Sequence, residues 1–261
     1  MSDPATTPLR PGLFTAGLDA AGPCPYGECG GDGWVLDEAS DTAVPCRCRE
    51  QRVAARRTRG LGRTIPERFR HVSFESPEVQ DLRARVPAVV RAVQRYCDRL
   101  DSELDAGRGL GFHGDVGTGK TTLAYLVTKA ALRASRSVAV YSFPRLLVEI
   151  RDTYRDDSGA GHLGFLERLV AVDLLQLDDL GAEKPTDWVA EQLFLVIDGR
   201  YEARRSIVYT TNLAPGGDGA SGRDTLADRI GARAASRLAE MSAAVPLYGS
   251  DHRTAQAPEL P

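Results

Sequence analysis

Apolar residues along the chain follow two rhythms. Short runs at 109–113 (GLGFH), 137–142 (SVAVYS), 171–179 (AVDLLQLDD), 206–212 (SIVYTTN) and 244–249 (AVPLYG) are almost continuously apolar. That is the pattern of strands buried on both faces. Between them, 87–104, 120–134, 144–154, 186–203 and 225–241 place apolar residues three and four apart and predict helices, with a further helix near 164–170. Strands alternating with helices predict an α/β fold, a parallel sheet covered on both faces. Upstream the rhythm disappears. Residues 1–23 are rich in Pro, Gly, Ala and Thr and predict disorder. Residues 24–50 hold four of the five cysteines, 51–64 form a basic linker with a short helix and a Gly-containing hinge, and 65–261 form the globular domain.

The strand at 109–113 runs into GDVGTGKTT, where Gly114, Gly119, Lys120 and Thr121 have the spacing G-x-x-x-x-G-K-T. A strand before and a helix after are the context a phosphate cradle needs. Backbone N–H groups of Gly114, Asp115, Val116, Gly117, Thr118, Gly119, Lys120, Thr121 and Thr122 would converge on phosphate oxygens, helped by the helix N-terminus. Lys120 would reach the β- and γ-phosphates of ATP, and the Thr121 hydroxyl would face Mg2+.

The strand LLQLDD ends in Asp178 and Asp179. Asp178 would hold Mg2+ with Thr121. Asp179 stands where a carboxylate could orient or deprotonate the attacking water, and Glu183 is an alternative for that task. An isolated Asp pair could equally form a helix cap or turn. Asn212, at the end of the next strand, is a candidate for the γ-phosphate or the water, or a turn residue.

Cys24 and Cys29, then Cys46 and Cys48, give C-x4-C and C-x-C pairs separated by sixteen residues. Four thiols in a Gly-rich segment poor in apolar residues predict a structural zinc site that supplies the segment's folding energy, with free thiols or disulfides as the alternative. Cys97 falls in a predicted helix and is read as a packing residue.

Composition narrows the class. The chain has 261 residues, 42% hydrophobic and 26% charged, with net charge −3. No apolar run approaches a membrane span, and MSDPATTPLR lacks the core of a secretory signal, so a cytoplasmic protein without a membrane partner is expected. The charge is uneven. Residues 47–70 carry nine Arg against Glu50 and Glu67, a net of +7, which leaves −10 for the rest. That cluster reads either as a solvated linker or as a phosphate-contacting stripe.

Taken together, GDVGTGKTTLA, LLQLDDLGAEK, YTTNL, RIGARAASRL and IPERFRHVSFE (65–75) resemble an AAA+ ATPase of the DnaC/DnaI helicase-loader group, with IstB-like transposition helpers as relatives. The resemblance spans roughly residues 65–253. It implies a sheet of order 5-1-4-3-2 and ATP hydrolysis at head-to-tail interfaces between subunits, completed by an arginine from the neighbour. Arg237 is the best match for that arginine, with Arg229 and Arg233 on roughly the same helical face. Few residues follow the last strand, so no full lid domain is expected. Arg253 of GSDHR would partly substitute for it at the nucleotide. The resemblance further implies single-stranded DNA contact by an inter-strand helix, with Arg145, Arg151 and Arg155 as candidates beside the plain reading of a solvated face. It also implies that the cysteine module docks the replicative helicase hexamer or DNA. The function expected is ATP-dependent loading of that helicase onto single-stranded DNA. The alternatives are an IstB-like transposition helper that binds target DNA and an ATP-gated adaptor with little hydrolysis.

Overall fold

The computed structural model describes residues 23–37, 42–57, 61, 65–154, 160–183, 186–214 and 224–251. All but Pro23 of the expected disordered segment, together with Arg155 and Arg253, lie outside them. A hairpin comes first, β1 (Trp34–Asp37) paired antiparallel with β2 (Thr42–Pro45), followed by α1 (Cys48–Arg57). Then come α2 (Glu67–Arg70), α3 (Pro77–Arg85), α4 (Pro87–Asp98) and α5 (Leu100–Asp105). The sheet strands and helices alternate from there: β3 (Gly109–Gly114), α6 (Lys120–Arg133), β4 (Val138–Ser142), α7 (Phe143–Thr153), α8 (Ala160–Ala171), β5 (Leu174–Asp178), α9 (Asp187–Glu202), β6 (Ser206–Thr211), α10 (Leu226–Ile230), α11 (Ala232–Met241) and β7 (Ser242–Leu247).

Strands β3 to β7 form a parallel sheet of order β4-β5-β6-β3-β7. Counted along the chain, this is the expected 5-1-4-3-2. The two-residue side-chain period sorts each strand between two cores. Tyr141, Leu175, Leu177, Ile207 and Tyr209 face α7 to α11 on one side. Leu110, Phe112, Val138, Val140 and Val208 face α4 to α6 on the other. Because the strands are parallel and β6 lies between β5 and β3, the C-terminal ends of all three meet at one edge.

Several boundaries differ from the sequence reading. The helix predicted over 87–104 is two, α4 and α5, with Arg99 between them. The helix over 225–241 breaks at Gly231, whose φ of +86° is open only to glycine without strain. Arg229 is therefore on α10 while Arg233 and Arg237 are on α11, and the three do not share one helical face. The strand expected from residue 171 starts at Leu174, because α8 runs through Ala171. Arg200, fully buried on α9, fixes that junction by donating to the carbonyls of Leu169, Val170, Val172, Asp173 and Ser206. Those carbonyls belong to the end of α8, the residues leading into β5 and the start of β6.

The basic stretch is also more than a linker. Arg57 of α1 donates to Asp173 at 3.0 Å, and Arg205 reaches the same carboxylate at 2.7 Å. Leu61 is buried in the core shared by α7 to α11. Arg52 is buried with its Nε 3.2 Å from Cys48 Sγ, and Arg49 lies 3.7 Å over the Trp34 ring. These arginines are engaged within the chain rather than presented to phosphate.

Candidate nucleotide-binding site

The loop that ends β3 turns directly into α6. Gly119 caps that helix in the left-handed region, φ +97°, and a Cβ there would come within 2.7 Å of Leu82 on α3. A glycine is needed on both counts. The N-terminus of α6 consequently opens toward the loop with its first N–H groups unpaired by a side-chain cap. Lys120 is buried and folds back across the loop, its Nζ donating to the carbonyls of Gly114 (2.9 Å) and Asp115 (2.5 Å). Thr118 Oγ1 braces the same turn by donating to Asp115 O at 2.8 Å.

Asp178 meets this loop from β5. Its Oδ1 accepts from Thr121 Oγ1 at 2.9 Å and from Thr210 Oγ1 at 2.6 Å. Thr210 in turn accepts the Asp179 N–H at 2.9 Å, so one β6 hydroxyl fixes both acids. Thr210 was not among the sequence candidates. Its signal in the sequence is the Thr-Thr doublet of YTTN, directly before Asn212. Burial pushes the Asp178 carboxyl up from its usual range, and the neighbouring Asp179 adds to this. The bonds from Thr210 and Thr121 and the charge of Arg68 pull the other way without cancelling it. A buried carboxyl oxygen 2.9 Å from a hydroxyl is a hard-oxygen donor pair suited to Mg2+.

Asp179 is exposed with φ +57°, a conformation that turns its side chain out of the strand. It lines a cavity of about 540 Å³ together with the loop from Val116 to Thr122, Ala182 and Asn212, closed on the far side by Arg68, Phe69 and the face of α3 from Glu78 to Arg85. Glu183 is exposed and is not among the residues lining that cavity, whereas Asp179 is. The chain after β7 crosses the loop: Gly249 N donates to Asp115 Oδ2 at 2.9 Å, and a Cβ on Gly117 would strike Asp251 Oδ1. His113, just before the loop, has its Nδ1 3.3 Å from Tyr248 Oη. Burial, then the charge of Lys120, holds it below the ordinary imidazole value.

The other candidates sit apart from this cavity. Arg237 pairs with Asp198 of α9 and lies over the rings of Phe194 (5.3 Å) and Tyr201 (5.0 Å). Arg229 pairs with Asp224 at 2.5 Å, and Arg233 is exposed. On α7, Arg145 pairs with Glu149 at 3.1 Å. Arg151 lies 4.7 Å over Trp188, beside Tyr154, which stacks on His162.

In the N-terminal module the four sulfurs of Cys24, Cys29, Cys46 and Cys48 lie within 4.8 Å of one another. Cys24 and Cys46 are 3.7 Å apart, and Cys29 and Cys48 3.5 Å. Tetrahedral zinc at its usual bond length to thiolate spaces sulfurs by about 3.8 Å, so the set fits that ion. The Cys46 N–H donates to Gly33 O at 2.9 Å, which ties the second pair to the turn carrying the first.

A family model described as "IstB-like ATP binding protein" matches residues 102–256. Among curated proteins, the chain is 26% identical over 161 residues to "Replicative helicase loader DnaC" of Buchnera aphidicola subsp. Schizaphis graminum, covering 61% of this chain and 63% of that protein. It is 27% identical over 147 residues to "Replicative helicase loader DnaI" of Bacillus subtilis, covering 55% of this chain and 44% of that one. The match thus spans less than two thirds of either relative. Among solved structures, a DnaC helicase loader superposes with a TM-score of 0.55 at 22% identity, covering 69% of this chain and 99% of that one. No helix among the described residues is long and apolar enough to cross a membrane.

Proposed function

This chain belongs to the family of IstB-like ATP-binding proteins, and on that premise we propose that it is an ATPase that loads a replicative helicase hexamer onto single-stranded DNA. The observation that carries the reading is the meeting of the Lys120 loop, Thr121, Asp178, Asp179 and Asn212 at one sheet edge. The relatives named as DnaC and DnaI loaders support the loading task over the transposition alternative.

In this reading a nucleotide takes over the loop. Phosphate oxygens replace the Gly114 and Asp115 carbonyls as partners of Lys120, which is already buried and need not be desolvated anew. Backbone N–H groups from Gly114 to Thr122 cradle the phosphates. Thr121 and Asp178 hold Mg2+, which supplies charge against the β- and γ-phosphates when bound. Asp179 orients the water and accepts its proton, and Asn212, across the same cavity, positions the water or the γ-phosphate. Arg237 completes a neighbour's site in a head-to-tail assembly, and Arg253 follows the segment that crosses the loop. Arg145, Arg151 and Arg155 contact DNA phosphates. Zinc in the cysteine module holds the surface that docks the helicase.

The test is reconstitution. The protein, its organism's replicative helicase hexamer and circular single-stranded DNA are mixed with ATP, and helicase retained on the circle is measured. Loading that depends on ATP and fails for Lys120→Ala is the expected result. Helicase loading that is the same with and without the protein would overturn the reading.

A further inference from the structure

Among the described residues that line the cavity, one cation is unaccounted for by the nucleotide motifs. Three described acids line the space: Glu78, Asp81 and Asp179. His71 partners Glu78 at 2.8 Å, and Arg85, itself a lining residue, is engaged by Asp81 at 2.9 Å. Lys120 belongs to the loop. Arg68 remains, an exposed guanidinium on the one-turn helix α2.

Its mount is rigid. The Phe69 ring stacks on Tyr125 of α6 with centroids 4.5 Å apart, and Arg68 Cζ lies 4.6 Å over the Phe69 ring. From below, Lys129 Nζ donates to the carbonyls of Arg70 (2.6 Å) and Val72 (2.5 Å), pinning the exit of α2 to the same helix. The position along α6 decides which part of a nucleotide Arg68 would meet. Tyr125 is four residues after Thr121, hence on the same face of α6 one turn on. Thr121 is the residue bonded to Asp178. Arg68 therefore stands at the Thr121–Asp178 end of the cavity, and its charge is felt at both Asp178 and Tyr125.

We propose that Arg68 is a phosphate-binding residue supplied by the chain's own upstream segment, its guanidinium taking oxygens of the terminal phosphate of a bound nucleoside triphosphate. The planar fork matches two phosphate oxygens at once, and the aromatic stack beneath it limits the conformations it must surrender. The proposal rests on the cradle reading above. It adds that discrimination between tri- and diphosphate is built into one subunit, before any neighbour contributes an arginine.

The test compares affinities for a non-hydrolysable ATP analogue and for ADP, both with Mg2+, by titration of the full-length protein. Arg68→Ala is expected to weaken the triphosphate analogue roughly ten-fold or more, the loss of one charge-assisted hydrogen bond. ADP affinity should stay within about two-fold, and Arg68→Lys should fall between. Equal losses for both nucleotides, or no loss, overturn the proposal. Lys120→Ala runs in parallel. If it keeps tight binding of both nucleotides, the cradle reading itself fails. If it loses both while Arg68→Ala changes nothing, only the role of Arg68 is lost.

Discussion

Arg237→Ala removes two things at once, a local ion pair and a guanidinium that a neighbouring subunit could use, and their sizes are different enough to separate. The side chains of Arg237 and Asp198 are 30% and 25% exposed, so their pair is partly screened and contributes at most about 1 kcal/mol. Its placement over Phe194 and Tyr201 adds about 0.5–1 kcal/mol. The variant should therefore lose about 1–2 kcal/mol, a fall in melting temperature of several degrees, and remain folded. ATP binding should be unchanged, because Arg237 does not line the cavity. Hydrolysis should fall by a far larger factor, on the order of 10³–10⁵, if its charge completes a neighbour's site. Asp198→Asn is the control. It loses the same ion pair and a comparable amount of stability but keeps the guanidinium, so it should hydrolyse ATP at least as fast as the unaltered protein. A mixture of Arg237→Ala with Asp179→Asn closes the argument. Neither turns over alone, yet some interfaces would pair a sound site with a sound arginine, and turnover should partly return in proportion to protein concentration. Hydrolysis lost equally in Asp198→Asn and Arg237→Ala, or no recovery on mixing when co-assembly is verified, would refute the trans role. Arg233, exposed one turn earlier on α11, would then be tested in the same way.

Three further outcomes follow from the same geometry. One zinc per chain is expected by elemental analysis of gently purified protein, falling to none in Cys46→Ser/Cys48→Ser, with chelation opening residues 24–48 to protease while ATP affinity is kept. Asp173→Asn should destabilise the protein by about 1–3 kcal/mol in chemical denaturation, since it removes the charge that pairs with Arg57 and Arg205 and leaves one amide oxygen where two carboxylate oxygens served the arginines and the Ser137 N–H and hydroxyl. Burial raises the Asp173 carboxyl, but the Ser137 bonds and the two arginines outweigh it and hold it below the ordinary value. Its contribution is therefore complete above the unfolded carboxylate value and is lost as pH falls through the depressed native one, so the unaltered protein and Asp173→Asn should converge in stability in acid. Single-stranded DNA affinity should fall steeply with salt, and Arg145→Ala/Arg151→Ala should lower both affinity and salt slope in a fluorescence titration; an unchanged slope places the DNA path elsewhere.

The elements and the phosphate loop were legible because they are properties of neighbouring residues. Apolar runs of five or six mark β3 to β7, and G-x-x-x-x-G-K-T needs only a strand before it and a helix after it. Even the placing of Asp179 and Asn212 in one cavity could be expected, because a parallel sheet brings the ends of its strands to one edge. What the strands' side chains do to each other was not in the sequence. Thr210 bridges Asp178 and Asp179 from a strand about thirty residues away, and nothing in its own surroundings distinguishes it from Thr211. Asp179 and Glu183 read alike as acids after a strand, and only the turn at Asp179, with its positive φ, aims one of them into the cavity. The cysteines announced themselves as two close pairs, yet the short sulfur distances run between the pairs, since the β1–β2 hairpin folds one onto the other. Arg57 belonged on paper to a basic run, but Asp173, 116 residues later, takes it up. Arg68 belonged to the same run, and the stack of Phe69 on Tyr125 brings it over the nucleotide cavity. Periodicity fixes which way a residue faces within its own element. Whether that face meets an acid, a ring or an open cavity depends on segments far along the chain that only packing brings within a few ångströms.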